Sequence, residues 1–192
     1  MILTLYPIFR EWSKSGSVYV ISDPHFYDHD RALMGYEISE EDQIEILKKR
    51  CHKNDTLICL GDVGDPSLFS RIKSRKVLIM GNHDVSVTKF EGFFDEVYAG
   101  PLWVAEKLVL SHEPLCLESG MTRRPIAFNI HGHDHSGELY NDDYHLNVAQ
   151  NVFGWEPLDL GKFIKDGMLS HIKSIHREII DMATERKKNL QR

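Results

Sequence analysis

Residues Ile130 to His135 read Ile-His-Gly-His-Asp-His, which sets three imidazoles at alternate positions across a glycine. Each neutral ring needs partners for two nitrogens, so such a density is awkward in a core. A metal ion supplies those partners, and alternate residues of an extended chain end point to the same side. The competing reading is a His-rich surface turn in a chain that carries 11 histidines. What separates the two is whether carboxylates stand ready elsewhere, and four further clusters offer them or their relatives. These are Asp23-Pro24-His25, Gly61-Asp62-Val63-Gly64-Asp65, Gly81-Asn82-His83-Asp84 and Ser111-His112-Glu113-Pro114. Asp-x-His puts a carboxylate oxygen and an imidazole near one point, a mixed pair suited to a transition metal, although Asp-Pro also simply makes turns.

Every cluster follows an apolar run. Ser17 to Ser22 is β-branched and aromatic and stops at Pro24, Thr56 to Leu60 stops at Gly61, and Lys76 to Met80 stops at Gly81. Leu108 to Leu110 delivers His112, and Ile126 to Ile130 delivers the histidine motif. These runs read as short strands, with Val97, Leu102 to Val104 and Tyr144 to Val148 as others. Ser39 caps an acidic first turn and opens a helix to about Cys51, with Ile44, Leu47 and Cys51 as its apolar stripe. Further helices are expected over Pro66 to Ser74 and Thr88 to Phe94, and loops over Phe26 to Ile38 and Glu113 to Pro125. Pro157 to Leu160 is expected to begin a helical tail from about residue 158, striped by Met168, Leu169, Ile172, Ile175, Ile179 and Met182 and fraying over Glu185 to Arg192. The repeated strand-and-helix pattern predicts a mainly parallel sheet with a site along the carboxyl ends of its strands.

The 192 residues suit one domain spanning the whole chain. Hydrophobic content of 42% with 27% charge is ordinary for a globular protein, and no apolar run is long enough to span a bilayer. Met1 to Phe9 reads as a strand or packed tail rather than a signal. Three cysteines without a CxxC pair (Cys51, Cys59 and Cys116) indicate neither a disulfide framework nor a thiolate zinc site, which suits a reducing cytoplasm. A net charge of −6 argues against an extended nucleic-acid-binding face. If the substrate carries phosphate, local cations must attract it.

The five clusters in this order resemble the calcineurin-like metallophosphoesterase superfamily, from Ser17 to about Pro157. That resemblance implies a two-sheet α/β sandwich flanked by helices, a four-layer αββα arrangement, with a dinuclear metal centre at the strand ends. It implies that Asp23, His25, bridging Asp62 and His135 hold one ion, and that Asp62, Asn82, His112 and His133 hold the other. His83 falls on the family's catalytic histidine, with Asp84 placed to orient or polarise its ring, and Asp65 on an acidic position read as structural or supporting. The cofactors implied are two divalent ions, manganese first, with iron, nickel or zinc as alternatives. The short chain is similar to small bacterial, archaeal or phage phosphodiesterases, so a small phosphate ester, such as a nucleotide, is the expected substrate and a diester is favoured over a monoester.

The chemistry supports the same picture. Two divalent ions roughly 3.5 to 4 Å apart clamp a phosphoryl group and bring a shared water's pKa near neutrality, which makes the bridging hydroxide a nucleophile. Two carboxylates with neutral ligands leave the centre about +2, or about +1 after hydroxide, which favours an anion. His83 then suits a general acid for the leaving alkoxide. Outside the clusters, His131 reads as a core or turn histidine or as support for the motif. Arg123 and Arg124 read as substrate contacts or an exposed pair, and Asn147 as a strand-end residue or a brace for the metal loops. His29, His52, His171 and His176 are expected on the surface. A metallo-β-lactamase-like HxHxDH reading fails because the spacing is one residue short and it leaves Asp23, His25 and Gly81 to Asp84 idle. A catalytically silent scaffold of the same fold is the other alternative, but it should have lost ligands or His83.

Overall fold

The computed structural model describes residues 3–4, 6–118, 120, 123–137, 142–173 and 175–191, and the surface position expected for His176 lies outside the described side chains. Two five-stranded sheets form its centre. In the first, β2 (Val18–Ile21), β3 (Thr56–Cys59), β4 (Arg75–Ile79) and β5 (Glu96–Tyr98) run parallel, and β10 (Leu158–Asp159) adds antiparallel to β2. In the second, the order is β1 (Leu3–Thr4), β6 (Leu102–Ala105), β7 (Leu108–Leu110), β8 (Phe128–His131) and β9 (His145–Asn147). Only the β6–β7 pair is antiparallel there. The mixed α/β architecture expected from the sequence is therefore present.

Strand period decides where the two cores lie. Alternate side chains face opposite sides, so Val18, Val20, Ile58, Leu60, Val77 and Ile79 pack against Leu102, Val104, Leu108, Leu110, Phe128 and Ile130 of the second sheet. Their neighbours Tyr19, Ile21, Leu57, Cys59 and Leu78 point outward and meet Ile44 and Leu47 of α2 (Glu40–Arg50) together with Phe69, Phe90 and Phe94. Strands buried on both faces read as unbroken apolar runs, which is why these were visible in the sequence. The predicted cap of α2 is formed: Ser39 Oγ accepts the Asp42 N–H at 3.1 Å, and acids lead the helix while Lys48, Lys49 and Arg50 end it. α1 (Tyr6–Trp12) precedes β2 and buries Trp12 in the inter-sheet core.

Several expectations need correction. Pro66–Arg71 and Val87–Lys89 are 3₁₀ turns rather than longer helices; Asp65 caps the first by accepting the Ser67 N–H at 2.9 Å, the structural role foreseen for it. After the short α3 (Gln150–Phe153), Leu158 does not begin the tail as helix but pairs with Val20, and Asp159 then caps α4 (Leu160–Lys165). The apolar stripe is interrupted because Gly167 takes φ +83° and only α5 (Ile175–Leu190) resumes the helix. Ile172 is buried, whereas Met168, Ile179 and Met182 are exposed. The α5 helix also persists to Leu190, past the expected fraying.

All the chemically distinctive clusters lie beyond the carboxyl ends of β2, β3, β4, β7 and β8. The two sheets meet there, where Ser22 pairs with Ala149, the Ser22 N–H donates to Val148 O at 3.1 Å and the Gln150 N–H donates to Ser22 O at 3.1 Å. Among the described residues no helix is long and apolar enough to cross a membrane. Replacing Ile58, fully buried between the sheets, by alanine should cost about 3 kcal/mol in denaturant unfolding. Leu33→Ser at an exposed position should stay within about 0.5 kcal/mol; equal effects would mean that the inter-sheet layer is not the stabilising core.

Candidate metal centre

Asp23 and Asp62 end the adjacent parallel strands β2 and β3, and both are buried. Each carboxylate is divided between two tasks. Asp23 Oδ2 accepts the His133 N–H at 2.9 Å and Asp62 Oδ1 accepts the His83 N–H at 3.0 Å. The other oxygens face inward: Asp23 Oδ1 has no hydrogen-bond partner, and Asp62 Oδ2 stands 3.8 Å from His25 Nε2 and 3.4 Å from His112 Nε2.

Around these oxygens the side chains gather in two groups. Asp23, His25 and His135 place donor atoms within 4.8 Å of one another, and so do Asp62, His112 and His133. Asn82 joins the second group, its Oδ1 2.8 Å from His112 Nε2 and 3.1 Å from His133 Nδ1. Asp62 Oδ2 lies between the groups because it faces a histidine of each.

The histidine tautomers follow from partners that can only accept. His112 Nδ1–H donates to Leu60 O at 2.8 Å, and His25 Nδ1–H donates to Asp28 Oδ2 at 3.2 Å. His135 Nδ1–H donates to Asn151 Oδ1 at 3.0 Å, an amide fixed the right way round because its Nδ2 donates to Met34 O at 2.7 Å. In the neutral His25 and His135 rings Nε2 is therefore left as a lone pair aimed at the carboxylates, whereas His112 Nε2 faces Asn82 Oδ1 and Asp62 Oδ2. Buried His25 Nε2 has no hydrogen-bond partner.

Tight backbone geometry brings the loops together. Asp23, His25, Asp62 and His133 all hold positive φ, between 45° and 67°, a region that ordinary residues avoid and that concentrates at functional sites. A Cβ on Gly132 would lie 1.9 Å from Ser22 Oγ and 2.0 Å from Asp23 Oδ2, so only glycine lets the His133 loop reach the β2 end. Arg31 is buried, and its guanidinium donates to Pro24 O (2.5 Å), His25 O (3.3 Å), Ile38 O (3.2 Å) and Gln43 Oε1 (3.0 Å). It also covers the Tyr36 ring at 4.4 Å, while the Tyr36 hydroxyl donates to Asp23 O.

The sequence-predicted site residues Asp23, His25, Asp62, Asn82, His112, His133 and His135 thus converge, and the His83 ring lies 5.9 Å from that of His25, centroid to centroid. Asp84 has a different task from the one expected. Its carboxylate accepts the N–H groups of Asp62 (2.8 Å), Val63 (3.1 Å) and Gly81 (2.9 Å), so it clamps two metal loops together rather than orienting the His83 ring. His131 is a buried histidine edge-on to His145 at 5.9 Å. Asn147 braces the motif by donating to Asp134 O at 2.5 Å. Arg123 and Arg124 are exposed; Arg124 borders a cleft with Tyr144, His171 and Lys173, none of which belongs to either group. Asp28, Arg31, Tyr36 and Asn151 were missed, because a polar stretch without periodicity gives no sign of what it anchors.

A family model described as calcineurin-like phosphoesterase matches residues 16–189. The chain belongs to that family. Among solved structures, the phosphoesterase is similar to a protein of unknown function from Aquifex aeolicus, with a TM-score of 0.59, 23% identity, and 78% of this chain and 98% of that one covered. It also resembles the nuclease MPE of Pseudomonas putida at a TM-score of 0.40, with 24% identity over 60% of each chain. The first likeness bears on fold alone and the second carries no weight. No curated protein matches the chain. The family is dinuclear and metal-dependent, and the phosphoesterase is accordingly a metal-dependent phosphoric ester hydrolase with two candidate metal sites.

The residues fit that requirement. Two buried polar atoms, Asp23 Oδ1 and His25 Nε2, lack partners and stand 3.8 Å apart; donors about 2.1 Å from one ion lie up to about 4 Å from each other. Thiolates take no part: Cys51 and Cys59 are buried, and burial pushes the Cys51 thiol up to about 12. Burial opposes charge on His112, yet Asp62 and Asp23 beside it push its pKa up to about 9. Burial likewise tends to raise the Asp62 carboxyl, but His112 and the His83 N–H hold it below its usual value. Below about pH 9 the second group therefore carries a proton that a divalent ion must displace. Metal affinity should rise with pH toward that value, by about tenfold per pH unit for each proton released. Calorimetric titration of Mn²⁺ in buffers of differing ionisation enthalpy measures the release; none at pH 7 would show that His112 is already neutral.

Proposed function

We propose that the enzyme hydrolyses a small phosphodiester in preference to a monoester, with His83 as general acid. Asp23, His25, Asp62 and His135 would hold one divalent ion, manganese first among candidates, and Asp62, Asn82, His112 and His133 the other. When bound, such a pair supplies charge stabilisation to phosphoryl oxygens and a water that ionises near neutral pH. The observation that carries this reading is the Asp62 carboxylate, whose Oδ2 faces His25 on one side and His112 on the other.

The surrounding residues have distinct tasks in this scheme. Asp28 and Asn151 hold the His25 and His135 rings with Nε2 forward, an outer support that raises ligand basicity and fixes orientation. Asp84 keeps the Asp62 and Gly81 turns in register. His83 is exposed, and its backbone N–H is fixed by Asp62. Its imidazole is the side chain suited to moving a proton near neutral pH, here to the leaving alkoxide. The preference for a diester rests on charge. Among the described residues no Lys or Arg donates into either group, and Arg31 is occupied by backbone carbonyls. A monoester dianion would thus meet only the ions, whereas a diester carries a single charge.

The deciding experiment pairs an aryl phosphodiester with the corresponding monoester and follows release of the aryl alcohol with Mn²⁺ supplied. Turnover should favour the diester, vanish on chelation and return with Mn²⁺. His83→Ala should lower kcat about 100-fold or more while the protein keeps two metal equivalents, whereas Asp62→Asn should lose metal. A fully metallated protein inert toward both esters would shift the reading to a silent scaffold. Asp28→Asn should weaken metal affinity about tenfold without changing the metal count at saturation, measured by competition with a chromogenic chelator.

A further inference from the structure

Beside the second group lies a cavity of about 230 Å³ between the ends of β4, β5 and β7. Asn82 and His112 line it together with the apolar Met80, Pro101 and Leu115, and among the described residues Glu113 is its one carboxylate. Among the described residues no lysine or arginine borders it. It is smaller than the roughly 300 Å³ at which drug-sized pockets begin, so it admits one ring system rather than a chain of them.

Resting on the hydrolase reading above, we propose that this cavity seats the retained alcohol component of the diester, and that the component is a neutral, ring-sized group carrying hydrogen-bond donors, such as a nucleoside. Three features support this class. The cavity shares Asn82 and His112 with the candidate metal centre, so a group bonded to a phosphate held there reaches it directly. Its apolar sides reward burial of a ring face. Glu113 is exposed and its carboxylate only accepts; it favours a hydroxyl or amino donor and repels a second phosphate. Ser111 is already engaged, donating to Glu113 O at 2.6 Å and accepting from Asn129 at 2.9 Å, which leaves Glu113 as the side chain that selects.

The test uses the Mn²⁺-loaded full-length protein and two diesters with the same leaving group, methyl 4-nitrophenyl phosphate and thymidine 5′-(4-nitrophenyl phosphate). The nucleoside ester should have a kcat/KM at least about tenfold higher, the scale of one hydrogen bond to a charged group. Glu113→Gln should erase most of that advantage, and Leu115→Trp, which fills the cavity, should abolish it; in both variants turnover of the methyl ester and metal content stay unchanged. Ala99→Phe at another lining position gives an independent blockade should Leu115→Trp fold poorly. Equal kcat/KM on the two esters, or variants that slow both alike, would overturn the inference and leave the hydrolase reading intact. Inertness toward both esters with metal bound would overturn the two together.

Discussion

Two aspartates buried side by side constrain everything else in this protein. An unpaired carboxylate taken out of water costs several kcal/mol even after relaxation, and Asp23 and Asp62 are both nearly inaccessible. Each has one oxygen satisfied by a backbone N–H, from His133 and His83 respectively. The first contact crosses the site, because Asp23 is held by the loop that carries His133 of the other group, whereas Asp62 is held by the loop that carries Asn82 of its own. The inward oxygens are less well served: Asp23 Oδ1 is without a hydrogen-bond partner, and Asp62 Oδ2 is faced by the rings of His25 and His112. A divalent ion would answer the deficit at Asp23 Oδ1, at the seam where the two sheets meet.

Holding this arrangement requires backbone that would not form spontaneously. Four site residues sit at positive φ, each at a cost of order 1 kcal/mol or more, and Gly132 meets Ser22 and Asp23 with no room for a side chain. The compensation comes from buried polar anchors rather than from the apolar core. Arg31 ties the Asp23 to His25 turn to Ile38 and to Gln43 of α2, and Asp84 gathers three N–H groups from two loops. A buried guanidinium bound to carbonyls and a carboxylate bound to amides are each well satisfied locally. The strain and its support are thus contiguous.

The residues that converge were legible in the sequence because metal chemistry restricts residue types, and strand-end position places them: His133 and His135 flank Asp134 after an apolar run, and Asp62 follows Gly61 after another. The strands were readable for the same reason, since those buried on both faces carry no polar interruption. Segments whose role depends on distant partners were not. Asp84 sits next to His83, and adjacency suggests that it serves that ring; only the fold shows that its oxygens face the Asp62 and Gly81 amides instead. Arg31 and Tyr36 lie in a stretch without period, and their importance comes from contacts with Pro24 and Asp23. In the tail, helical spacing of apolar residues persisted across Gly167, but spacing alone does not reveal a left-handed glycine or an extra edge strand.

Charge imposes an order on assembly. The chain is net −6, and Asp23, Asp28, Asp62, Asp65 and Asp84 lie on or beside the loops of the centre. A phosphate ester approaching that edge without cations in place meets a carboxylate-lined surface, and repulsion there is weakly screened because Asp23, Asp62 and Asp84 are buried. Divalent ions are attracted by the same field. Bound ions would reverse its sign locally, and the carboxylates that repel an ester would then hold the charge that attracts it. Metal first and ester second follows from this field: without ions, an anionic ester would face the partnerless Asp23 Oδ1 directly.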